Sequence, residues 1–195
     1  SYLAAARLAC AFTGSERAGR SSQWARGGTM STDAIVLLKA DHKEIRRLFR
    51  NFQGAGDKAT KTKASLAKQI ISTLTAHTYI ENEVMYPEVR ALLPELEESV
   101  LEGYEEHHVT DVLCTELAAM SPRSERFNAK AHVLMETVTH HIDEEEQAWF
   151  PQVRAGLGRR KLQEIGDKLQ ETRRKAPKSP VQPSALKKAL DAVIA

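Results

Sequence analysis

Residues 140–151 read HHIDEEEQAWFP, and residues 77–87 read HTYIENEVMYP. Aligned on His141 and His77, the two stretches follow one plan: His, three residues, Glu, four residues, an aromatic, then Pro. The copies lie 64 residues apart. A shorter pair, Asp41-His42 and Glu106-His107, lies 65 apart and sets Leu48 against Leu113 and Phe52 against Leu117. Self-similarity at a fixed offset reports architecture before any single motif does. It divides this chain into two helical hairpins of one design, each supplying a lone His and a His-x-x-x-Glu.

The flanking residues carry the helical period. Ile35, Leu38, His42, Ile45, Phe49 and Phe52 recur at spacings of three and four, one apolar stripe with a histidine inside it. A second stripe uses Leu66, Ile70, Leu74, His77, Ile80, Glu81 and Val84, until Pro87 kinks the helix and Pro94 ends it. A third starts near Glu95 and carries Leu101, Tyr104, His107, Cys114 and Leu117 up to the turn Ser121-Pro122-Arg123. The fourth starts near Glu125 and carries Leu134, Val138, His141, Glu145 and Ala148. Four amphipathic helices with short turns predict an all-α protein, an up-down-up-down four-helix bundle over residues 30–157. At 1.5 Å of rise per residue, His42 and His77 lie about 18 and 22 Å from their shared turn. His107 and His141 match to within about one helical turn, so all four reach one layer of the core.

Residues i and i+4 stand one above the other on a helix, so a His and a Glu at that spacing can grip one ion. A single histidine in an apolar stripe is ordinarily a satisfied core residue. Six polar groups in four stripes at one level are different. Burying two carboxylates without a cation would cost several kcal/mol. The candidate metal ligands are therefore His42, His77, Glu81, His107, His141 and Glu145. Imidazole and carboxylate together suit iron or manganese better than calcium or magnesium. His108 and His140 sit about 100° off the ligand face, and His132 faces away. Asp143, Glu144 and Glu146 read as the wet side of the fourth helix, Glu83 as solvated and Cys114 as core.

The remainder of the chain is less distinctive. With 42% hydrophobic and 28% charged residues over 195 positions, it has enough apolar side chain for one core plus tails. Residues 1–29, with four Arg and one Glu, read as a disordered leader, either a presequence or a non-native extension. Residues 158–195 read as a basic helix near 159–174, a Pro-rich linker and a short terminal helix. Their eleven Lys and Arg between 154 and 188, counted with Arg154, are interspersed with acids and lack aromatics, which argues against nucleic acid. Two cysteines in unlike contexts suggest no disulfide framework and fit a reducing, cytoplasmic setting. No apolar run reaches transmembrane length.

Together, DH at 41–42, HxxxE…YP at 77–87, EEHH at 105–108 and HHxxEEE…FP at 140–151 resemble the hemerythrin-like, HHE cation-binding domain family, over roughly residues 32–157. The resemblance implies a four-helix bundle holding a non-haem di-iron centre, oxo- or hydroxo-bridged, on the six residues above. Family members carry or sense oxygen, sense iron, or handle nitric oxide and peroxide. The oxygen carriers place a second ligating His four residues along their third helix, where this chain has Asp111. Four His, two bridging Glu and one oxygen bridge leave about two positions open on a pair of octahedral ions. Asp111 and Tyr86 are candidates for an extra ligand or an outer hydrogen-bond partner. Tyr86 stands where the other copy has Phe150, but five residues past Glu81 it is off the ideal α-helical face. It reaches the ions only where Pro87 distorts the helix.

Three functions follow as expectations. The first is a di-iron protein that meets O2, NO or peroxide as sensor, scavenger or store. The second is a di-iron enzyme that decomposes peroxide or reduces NO. The third is a metal-regulated interaction bundle that uses the basic helix as its contact surface. Monomer is the expected state.

Overall fold

The computed structural model describes residues 33–56 and 58–180. The leader at 1–29 and the terminal helix expected at 184–194 lie outside the described residues. Six α-helices are present: α1 (Ala34–Gly54), α2 (Thr60–Ile80), α3 (Tyr86–Leu92), α4 (Glu97–Ala119), α5 (Phe127–Glu144) and α6 (Phe150–Arg173). A π-helical turn, Glu81–Met85, joins α2 to α3, and a second, Glu145–Trp149, joins α5 to α6. Among the described residues there is no strand. Each α–π–α run acts as one long rod, so the expected up-down-up-down bundle is formed by α1, α2–α3, α4 and α5–α6.

Asp33 starts α1 as its side chain accepts a hydrogen bond from the Val36 N–H at 3.0 Å. That satisfies one of the free donors of the first turn. Two apolar clusters lie on either side of the polar layer. One joins Ile45, Phe49, Phe52, Leu74, Leu117, Leu134 and Val138 at the end of the bundle that holds the α1–α2 turn. The other joins Leu38, Ile80, Met85, Val89, Val100 and Val153. Leu162, Ile165 and Leu169, past the expected bundle, belong to this second cluster and are fully buried.

The chain enters that last stretch through Gly158, whose φ of 68° lies in the left-handed region. Glycine is at ease there, and the backbone changes direction within α6. The basic helix expected near 159–174 is therefore the second arm of α6. Three of its cations face the bundle. Lys161 and Lys168 both reach Glu88, and Arg173 forks onto Asp41. Gly156, just before the bend, lets Leu93 approach to 2.5 Å of where a Cβ would stand.

Burial of Ile165 makes this arm part of the core rather than an appendage. Ile165→Ala should lower unfolding stability by about 2–4 kcal/mol. Leu92→Ala, at a 45% exposed position, should change it by less than about 0.5 kcal/mol. Urea denaturation followed by helical circular dichroism measures both.

Candidate metal centre

The two π turns have a common cause. Pro87 and Pro151 have no N–H to give, and each ring would collide with the carbonyl four residues back. The helix widens just before them. The Tyr86 N–H bonds to the Glu81 carbonyl, and the Phe150 N–H to that of Glu145, both spanning five residues. Residues five apart thereby share a face. The wider turn brings Tyr86 over the same space as Glu81, which an ideal α-helix would not.

At the centre, two groups of ligand atoms converge, each within 4.8 Å. His42, His77, Glu81 and Glu145 form one; Glu81, His107 and His141 form the other. The carboxylates sit between them. Glu81 Oε2 lies 3.1 Å from His77 Nε2 and 3.4 Å from His107 Nε2. Glu145 Oε2 lies 3.3 Å from His42 Nε2 and 3.7 Å from His141 Nε2. Each Glu thus stands between the histidine of its own His-x-x-x-Glu and the lone histidine of the other hairpin. All six residues are at most 5% exposed. His42 Nε2, both His77 nitrogens, both Glu81 oxygens and Glu145 Oε2 are buried without a hydrogen-bond partner. Orphans of that number in one place are costly unless something else binds them.

Behind the imidazoles lies a ring of oxygens. His42 Nδ1 is 2.9 Å from Glu146, His107 Nδ1 is 2.7 Å from Asn82 Oδ1, and His141 Nδ1 is 2.5 Å from Glu106. His77 Nδ1 faces Asp41 at a looser 3.4 Å. Carboxylates only accept, so Nδ1 carries the proton and Nε2 turns its lone pair inward. Asn82 and Glu146 occupy equivalent places in the repeat, as do Asp41 and Glu106. The sequence reading had Glu146 and Asp143 on the wet side. Asp143 is half exposed there, whereas Glu146 turns inward to brace His42; Arg46 pairs with both, at 3.0 Å to Glu146 and 2.5 Å to Asp143. The repeat offset that revealed the ligands also marked Asn82 and Glu146, because both follow the ligand Glu.

Burial and mutual charge set the protonation of these groups. Burial, with the charge of Glu145 beside it, pushes the Glu81 carboxyl well above the usual range. Burial acts on Glu145 too, but His141, His42 and His77 outweigh it and hold its pKa down. Burial, then the neighbouring imidazoles, pushes His107 well below the ordinary histidine value. Two buried carboxylates cannot both ionise at this distance without added positive charge.

These features accord with the relatives. The family model "Hemerythrin HHE cation binding domain" matches residues 33–153. The chain belongs to the hemerythrin HHE cation-binding family. It is 29% identical over 146 residues to a DNA nickase from Nostoc sp., a match covering 75% of this chain and 39% of that protein. It therefore spans about two fifths of the nickase's length. It is 27% identical over 150 residues to an uncharacterized hemerythrin-like protein of Schizosaccharomyces pombe, covering 76% and 71% of the two chains. The crystal structure of an HHE cation-binding domain-containing protein from Mycobacterium kansasii superposes with a TM-score of 0.59 at 18% identity, over 84% of this chain and 90% of that one. That likeness is one of fold.

Among the other candidates, Tyr86 comes in and Asp111 stays out. The Tyr86 hydroxyl lies 3.3 Å from His107 Nε2 and donates to Glu145 Oε1 at 3.3 Å. Its ring stacks on His107 at 5.1 Å, as Phe150 stacks on His42 at 5.7 Å. Asp111 is buried but belongs to neither convergent group. His140 is on the surface beside Glu144, and His132 is exposed. Gly103, which the sequence reading passed over, is where α4 makes room: a Cβ there would stand 2.6 Å from the Tyr86 hydroxyl.

Two outcomes are expected. Gly103→Ala should lower the thermal midpoint, against the gain of about 1 kcal/mol that Ala ordinarily brings to a helix interior. For Asp111, burial raises the folded pKa from 3.8 to about 7. The folded state then holds the proton more tightly, so stability falls as pH rises from about 4 through 7. Asp111→Asn should raise the midpoint at pH 8 and leave it nearly unchanged at pH 4, as read by thermal melts across pH.

Proposed function

We propose that the layer would hold two iron ions on His42, His77, Glu81, His107, His141 and Glu145, and that the protein meets O2, NO or peroxide there as a sensor, scavenger or store. The observation that carries this reading is the set of five unpartnered ligand atoms facing one buried layer: His42 Nε2, His77 Nε2, both Glu81 oxygens and Glu145 Oε2. The donor chemistry fits: four imidazole nitrogens with their lone pairs inward and two carboxylates suit iron. His42, His77 and Glu81 would hold the ions from the first pair of helices; His107, His141 and Glu145 would complete the set from the second. An iron pair supplies reversible electron exchange at coordination positions that the protein leaves free.

The chain's own residues set the terms of that chemistry. Glu146, Asp41, Asn82 and Glu106 fix the imidazole tautomers and ring orientations, with Nε2 turned inward. Tyr86 offers either a phenolate ligand or a hydrogen bond to whatever binds beside Glu145. Phe150 covers the opposite side with a ring that can do neither. The second arm of α6 spends Lys161, Lys168 and Arg173 on the bundle itself, which weighs against a nucleic-acid role despite the nickase likeness. No helix among the described residues is long and apolar enough to cross a membrane. A buried free thiol at Cys114 suits a reducing, cytoplasmic setting.

Reconstitution with ferrous iron, metal analysis and absorption spectra test the reading. About two irons per chain and the charge-transfer bands of a bridged ferric pair are expected, together with a higher melting midpoint than the metal-free chain. His77→Ala and His141→Ala should each lose the bands. Tyr86→Phe should remove a long-wavelength phenolate band if Tyr86 is a ligand, and shift the spectrum only slightly if it is a hydrogen-bond donor. A parent protein holding far fewer than two irons would sink the proposal.

A further inference from the structure

A pocket of about 190 Å³ opens between α4 and the run from α5 through its π turn into α6. Its inner wall is Tyr86, His141 and Glu145, so it ends on the candidate centre. Its outer wall carries three carboxylates, Glu102, Glu106 and Glu144. Between them stands Trp149, 7% exposed, whose indole Nε1 is buried without a hydrogen-bond partner. An indole N–H can only donate, and a buried one nearly always finds an acceptor. Its ring meets Tyr86 edge-on at 5.4 Å. Tyr86 and Trp149 thus line one cavity next to the ligand atoms.

We infer that this pocket is the entry to the centre, and that it selects neutral, hydrogen-bonding small molecules, of the class of hydrogen peroxide, over anions. The inference rests on the metal-centre reading and deepens it. Trp149 Nε1 is the donor that holds an incoming oxygen or nitrogen atom on the Tyr86 side. The carboxylates at the mouth set a negative potential that lowers the local concentration of anions and leaves a neutral molecule unaffected. The other side of the centre offers no equivalent, because Phe150, stacked on His42, replaces the hydroxyl-bearing ring there.

The test uses the full iron-loaded chain, with azide as anionic probe and hydrogen peroxide as neutral probe. Glu102 and Glu144 are exposed and outside the six candidate ligands, and an iron content of Glu102→Gln/Glu144→Gln equal to the parent's establishes that the centre is intact. At low ionic strength the double variant should tighten azide binding, read by spectral titration, about five- to tenfold. The gain should vanish in high salt, and the rate constant for peroxide should stay within about twofold of the parent. Trp149→Phe, which keeps the ring and removes the N–H, should weaken azide and slow peroxide about tenfold each. Unchanged azide affinity in the double variant, or salt-independent gain, overturns the charge selection. A fully loaded, helical Trp149→Phe protein that binds both probes as the parent does overturns the donor role. If the parent fails to load iron, the metal-centre reading falls and this inference with it; a loaded parent with indifferent pocket variants sinks this inference alone.

Discussion

Two carboxylates sealed among four imidazoles govern this molecule. Glu81 and Glu145 are too deeply buried to be hydrated and too close to be ionised together. Four imidazoles face them with lone pairs, and the Tyr86 hydroxyl donates to Glu145. The apolar clusters above and below lower the local dielectric, which raises the cost of leaving those charges unpaired and makes a bound cation more valuable. Stability and metal affinity are therefore two readings of one quantity in this chain.

The exchange of partners between hairpins follows from that constraint. Glu81 reaches His107, Glu145 reaches His42, and the outer oxygens of Asn82 and Glu146 make the same crossing. Neither hairpin can satisfy its own carboxylate. The layer also extends outward: Asp41, which faces His77, is held by Arg173 near the end of α6. Burial would raise the Asp41 carboxyl, but His77 and Arg173 bring it down to about 2. An ionic chain thus runs from the centre to the arm beyond Gly158.

Much of this was legible in the sequence because the repeat and the helical period are independent signals that agree. Four stripes located the helices, and the offset of 64 singled out His77, Glu81, His141 and Glu145 from seven histidines and many acids. What periodicity could not give was register beyond the π turns. A strict 3.6-residue period placed Tyr86 off the ligand face, whereas the five-residue bond ahead of Pro87 returns it. The same blindness put Glu146 on the wet side, since an α-helical wheel has no way to show that its partner is His42 on another helix. Gly103 was invisible for a different reason: its value lies in an absent Cβ, and only the position of Tyr86 reveals it.

The difference between Tyr86 and Phe150 has a consequence for the protein's history and symmetry. Two separate copies of one hairpin, related by a twofold axis, would build a centre with the same aromatic on both flanks. Covalent linkage of the halves removes that obligation. Each half is free to vary while the shared ligands stay fixed, and one flank carries a hydroxyl-bearing ring while the other carries a phenyl ring. The directionality of this site is thus a property that a symmetric pair of identical hairpins could not hold.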